Sequence, residues 1–107
     1  MDYHLVLQFP VKSEEEAEQL ALLEDDFIDY LEDTADLDGH EVEGQVLNHF
    51  ITTSDPEDTF ERLRPLLEEK RLLGKVIVAY RHVDEDEYTL LWPEDDPEAE
   101  RRFKAPD

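Results

Sequence analysis

The stretch Ser13–Asp38, SEEEAEQLALLEDDFIDYLEDTADLD, decides the fold. Ala17, Leu20, Ala21, Phe27, Ile28 and Leu31 recur at helical spacing, Leu23 and Tyr30 widen the stripe, and Glu24 interrupts it. Ser13 followed by Glu16 is a capping box: the hydroxyl accepts from the Glu16 amide and the carboxylate reaches back. Acids in the first turn suit the positive end of the helix dipole. The stretch holds 12 carboxylates and no Lys or Arg. Like-charge neighbours on a helix cost roughly a few tenths of a kcal/mol each, so the sequence predicts a helix held by its buried face.

Working outward, Tyr3, Leu5, Leu7 and Phe9 alternate with His4, Val6 and Gln8, which is strand spacing, and Pro10 ends the run. Val6 makes the second face partly apolar. After the helix, Asp36-Leu37-Asp38-Gly39 reads as a turn, Glu41–Glu43 as a short strand and Gly44-Gln45 as a tight turn. Val46–Thr53 is a stronger strand. Its register stays open, because Val46/Asn48/Phe50 and Leu47/His49/Ile51 both make credible core faces, and one bulged strand from Glu41 to Thr53 is the alternative. Asp55-Pro56 is a sharp helix start. Phe60, Leu63 and Leu67 mark the buried stripe, Pro65 predicts a kink or break, and Gly74 ends the element. Lys75–Val83 is apolar on both faces and reads as a central strand. Asp84–Glu87 makes a hairpin turn, Tyr88–Trp92 pairs back as an edge strand, and Pro93 closes it. The order β-α-β-β-α-β-β predicts an α+β fold, a ferredoxin-like split βαβ sandwich over residues 1–93. It has an antiparallel sheet, two helices on one face and an extra C-terminal hairpin strand. Residues 94–107 read as a charged, Pro-containing tail with room for one helical turn around Ala99–Phe103.

Several segments carry a resemblance. Asp38-Gly39-x-Glu41-Val42-x-Gly44, Phe50-Ile51-x-Thr53-x-Asp55-Pro56-Glu57-x-Thr59-Phe60, Ala79-Tyr80-Arg81 and Leu91-Trp92-Pro93 resemble the pattern of small uncharacterised bacterial proteins. The resemblance covers residues 38–93 and implies no activity.

The chain has no Cys, which excludes disulfides, thiolate metal sites and cysteine nucleophiles. The first residues show neither a basic n-region nor a long apolar run, so a cytoplasmic location is expected. A net charge of −21 steers the chain toward cations or basic proteins and away from nucleic acid and anionic membrane. The apolar periodicity argues against disorder.

No chemistry-bearing motif is complete. Asp36, Asp38 and Gly39 fit part of a calcium loop, but Thr34 and Gln45 stand where carboxylates are needed. His4, His40, His49 and His82 show no zinc spacing, and the three glycines form no phosphate loop. No catalytic residue, metal or cofactor is assigned. The leading expectation is a non-enzymatic binding module of the inhibitor, immunity or regulator type, monomeric or dimeric through its sheet. It would present Glu18, Asp25, Asp29, Glu32 and Asp33 to a basic protein surface. Residues 13–61 support this, holding 18 of the 31 acids and none of the 10 bases. A second candidate is a ligand or enzyme site on an open sheet face using His4, His49, Tyr80 and Arg81, with Trp92 on the adjoining strand. The third reading makes the acidity a solubility or halophilic adaptation.

Overall fold

The computed structural model describes residues 2–94 and 96–106. The strands are Tyr3–Pro10 (β1), Ala35–Glu43 (β2), Val46–Thr53 (β3), Ile77–His82 (β4) and Thr89–Trp92 (β5). The helices are Glu14–Ala21 (α1), Leu23–Leu31 (α2), Pro56–Glu69 (α3) and Pro97–Arg102 (α4). The strands form one five-stranded sheet in the order β2-β3-β1-β4-β5 with every pairing antiparallel, so the fold is α+β.

Pairing register fixes which residues share a face. Leu5, Leu7 and Phe9 of β1 stand beside Ile51, His49 and Leu47 of β3. Leu5 and Leu7 also stand beside Tyr80 and Val78 of β4. This face packs against Leu20, Leu23, Phe27 and Leu31 of α1–α2 and Phe60, Leu63, Leu66 and Leu67 of α3. Each such apolar side chain contributes roughly 1.5–3 kcal/mol on burial. That outweighs the few tenths lost at each like-charge pair on the outer surface, as the amphipathic pattern predicts. Trp92 closes the far end of this core. Its ring packs 5.8 Å from that of Phe60, and its Nε1 donates to the Leu73 carbonyl at 2.8 Å.

Several local expectations are corrected. The first helix is two. His49 Nε2 donates to the Leu20 carbonyl at 2.9 Å, the acceptor that an unbroken helix would offer to Glu24, and the helix breaks at Leu22. The turn expected at Asp36–Gly39 is the first half of β2. The register shifts there between Leu37 and Gly39, and Gly39 takes φ +126°, a conformation open to glycine, so the strand bulges and continues. The calcium-loop fragment therefore lies in extended chain. Pro65 neither breaks nor ends α3, which runs on to Glu69. Its neighbours Leu63, Leu66 and Leu67 are buried, and their combined burial exceeds the roughly 3 kcal/mol cost of an interior proline. The helix stops before Gly74, where Arg71 enters the left-handed region at φ 60°.

The largest difference lies at the C-terminus. Asp96 caps α4 by accepting from the amides of Glu98 and Ala99, and Ala99 is fully buried. The segment lies against the second face of the sheet. Gln8 and Lys104 are joined by two hydrogen bonds, and the rings of Phe103 and Tyr88 lie 5.2 Å apart. Val6, Ile77, Ala79 and Ala99 are buried yet stand apart from the helix-side core, forming a second, smaller layer. Residues 96–106 are part of the folded body, where the sequence predicts a tail.

Candidate functional site

Glu18, Asp25, Asp29, Glu32 and Asp33 are all exposed, on or just after α1–α2. Glu18, Leu22, Asp25, Asp29 and Glu32 follow one another at helical three-and-four spacing, opposite the buried Leu20, Leu23, Phe27 and Leu31. Leu22 and Ile28 interleave with these acids at 73% and 55% exposure, the two highest values among the large exposed apolar residues. The face is therefore acidic and apolar together. Arg62 borders it, with its Nη1 3.8 Å from Glu32 and its Nε donating to Asp58 at 3.0 Å. Glu32 and Asp33 hold positive φ, 46° and 68°, where the chain reverses out of α2, and the Thr34 hydroxyl caps the Leu31 carbonyl.

Beside this face lies a cleft of about 500 Å³. Phe9, Leu20, Leu23 and Leu72 give it an apolar lining. Glu16 and Asp26 come to it from the helices, and Lys70 and Lys75 from the segment after α3. Leu22 lines it too, so the cleft adjoins the acidic face.

The second candidate site does not assemble. His4 and Arg81 are register partners on the face that carries the C-terminal segment, whereas His49 and Tyr80 lie on the helix-covered face. Arg81 is engaged locally: its Nη1 donates to the carbonyls of His82, Val83 and Glu85, closing the β4–β5 connection. The Tyr80 ring packs edge-on to Tyr3, 5.9 Å away. His49 has no exposed surface, and burial lowers its pKa to about 4 against the opposing pull of the Leu20 carbonyl. Its ring meets Phe27 edge-on at 4.9 Å and Phe9 at 5.9 Å. His49 is a neutral internal donor that shapes the α1–α2 break. His40 is its register partner on β2 and pairs with Glu24 across the helix–sheet seam. Among the described residues no three His, Asp or Glu side chains converge as a cation site.

Sequence reasoning missed Gln8 and Asn48, both buried, joined by a 2.9 Å hydrogen bond from Gln8 Nε2 to Asn48 Oδ1. A polar residue beside Val6 on the second face of β1 was the available signal. It also missed Asp96-Pro97, the same helix-start pair as Asp55-Pro56. Compared with protein-family models, curated proteins and solved structures, the chain matches none. No helix among the described residues is long and apolar enough to cross a membrane.

Proposed function

We propose that this chain is a non-enzymatic protein-binding module, of the inhibitor, immunity or regulator type, built on a ferredoxin-like split βαβ sandwich. It docks the outer face of α1–α2 on a basic protein surface. The order β2-β3-β1-β4, with α1–α2 and α3 packed on one face, supports that architecture. One observation carries the docking reading: exposed Glu18, Asp25, Asp29 and Glu32 enclose exposed Leu22 and Ile28 on a helix pair, capped at Ser13, that holds no Lys or Arg. Charge of one sign speeds encounter with an oppositely charged partner, and apolar side chains at the centre of a charged rim give the contact its holding strength. A small-molecule site on the sheet loses support, since its four residues split between two faces.

The test compares two charge-matched variants. The first carries Glu18→Gln, Asp25→Asn, Asp29→Asn and Glu32→Gln. The second carries Glu57→Gln, Glu69→Gln, Glu85→Gln and Glu87→Gln, all exposed and outside the face. Retention on an immobilised basic protein is followed from about 50 mM to about 500 mM NaCl, a range that shrinks the screening length well below the width of the face. The first variant is expected to lose about tenfold in affinity and most of the salt dependence, while the second stays near wild type. Equal losses would mean bulk charge, the adaptive reading, and would refute a dedicated face. The first variant is also expected to fold at least as stably as wild type, because it removes like-charge neighbours.

A further inference from the structure

The C-terminal segment has the densest run of bases in this acidic chain: Arg101, Arg102 and Lys104 are three of the ten, within four residues around Phe103. At Lys104 the segment is held by its backbone. Gln8 Nε2 donates to the Lys104 carbonyl at 2.8 Å, and Gln8 Oε1 accepts from the Lys104 amide at 3.0 Å. A side-chain amide that pairs with both backbone groups of one residue reads extended chain and ignores that residue's side chain; Lys104 itself is exposed. One position earlier, Phe103 packs on Tyr88, and the Arg81 guanidinium lies 5.9 Å from the Tyr88 ring on its own account. Beyond the buried Ala99 of α4, the contact is thus one aromatic anchor followed by one backbone clasp.

The floor of this face has capacity that the segment does not use. Asn48 is fully buried, and its Nδ2 has no hydrogen-bond partner among the described residues. The register row Glu41–Asn48–Gln8–Ile77 runs across the sheet, and strands are spaced about 4.8 Å apart. Glu41 therefore shares the face of the clasp, two strands away, and Asp36 and Glu43 share it by the same pairing. An extended basic peptide laid along this face finds a backbone reader, a spare donor and flanking carboxylates.

We propose that the second face of the sheet is a docking groove for a basic, aromatic-bearing extended peptide, and that residues 103–106, which follow α4, occupy it as an intramolecular stand-in. The groove is distinct from the outer face of α1–α2, so either surface can fail its test without the other. The stand-in lowers the apparent affinity for an incoming peptide by the fraction of molecules in which the groove is open.

The probe is a fluorescein-labelled synthetic peptide with the sequence of residues 96–106, followed by anisotropy on the full chain. Lys104→Pro removes the amide that Gln8 Oε1 accepts, weakening the internal segment while the free peptide keeps it. This variant is expected to bind the peptide at least about tenfold more tightly than wild type. Adding Gln8→Leu to it is expected to abolish that gain. Phe103→Ala serves as the second opened variant. In the isotopically labelled wild-type chain, about 1 mM unlabelled peptide is expected to shift the chain's own Lys104 backbone amide resonance, as its segment is displaced, without unfolding the protein. Three results would each overturn the proposal: both opened variants fold cooperatively but bind no better than wild type; a scrambled peptide of the same composition binds equally well; or the Lys104 amide resonance of the wild-type chain stays unmoved.

Discussion

Replacing His49 by Gln isolates the buried imidazole as a source of pH-dependent stability. Gln keeps an N–H donor for the Leu20 carbonyl and removes the titrating ring. In the folded chain burial lowers the His49 pKa to about 4, against 6.5 as the ordinary value. Below pH 6.5 the unfolded chain takes up a proton that the folded chain refuses, so stability falls with falling pH. The contribution is complete above pH 6.5 and is lost as pH drops through 4. One pH unit corresponds to about 1.36 kcal/mol, which gives a ceiling of about 3.4 kcal/mol and a loss of about 2.5 kcal/mol between pH 7.5 and pH 4.5. The chain's 31 carboxylates are present in both proteins, so their effect largely cancels in the difference. Urea unfolding of wild type and H49Q at the two pH values supplies the assay. At pH 7.5 the variant is expected to be the less stable, having lost ring contacts with Phe27 and Phe9. By pH 4.5 the gap is expected to narrow by about 2.5 kcal/mol and to close or invert. Profiles that stay parallel within about 0.5 kcal/mol would refute a buried neutral histidine at this position.

Glu32→Gly should raise stability by about 1 kcal/mol in urea unfolding, because Glu32 holds φ 46° with a Cβ that glycine lacks, and its ion pair at 3.8 Å is exposed and weak. Trp92→Phe should lower stability by about 1–3 kcal/mol, since the Leu73 carbonyl loses its indole donor and the packing against Phe60 is cut back; thermal unfolding followed by circular dichroism reads the change.

The legible parts of the fold are those written in neighbouring residues. The alternation from Tyr3 to Phe9, the Ser13 cap, the Asp55-Pro56 helix start and the apolar run into β4 each depend on a few adjacent side chains, and each stands where the sequence predicts. What stayed hidden depends on partners far along the chain. The α1–α2 break comes from His49, 29 residues from the carbonyl it binds. The face occupied by His49 turns on a pairing register that a one-residue slip would reverse. The C-terminal segment docks through Gln8 and the backbone of Lys104, 96 residues apart, and a backbone contact leaves no apolar periodicity to read. The acids of the candidate face were visible in the sequence. Helical spacing also sets Leu22 on that face, but it puts Ile28 in the apolar stripe, and Ile28 is exposed in the structure.

The docking reading stands on a localised contact, and a heteronuclear NMR titration of the uniformly labelled chain with an unlabelled basic protein locates that contact residue by residue. The expected result is a set of amide shifts concentrated at Glu18, Leu22, Asp25, Ile28, Asp29 and Glu32, fading as salt rises, with β5 and the Asp84–Glu87 connection unmoved. Shifts spread evenly over the acidic surface, or centred away from α1–α2, would contradict it.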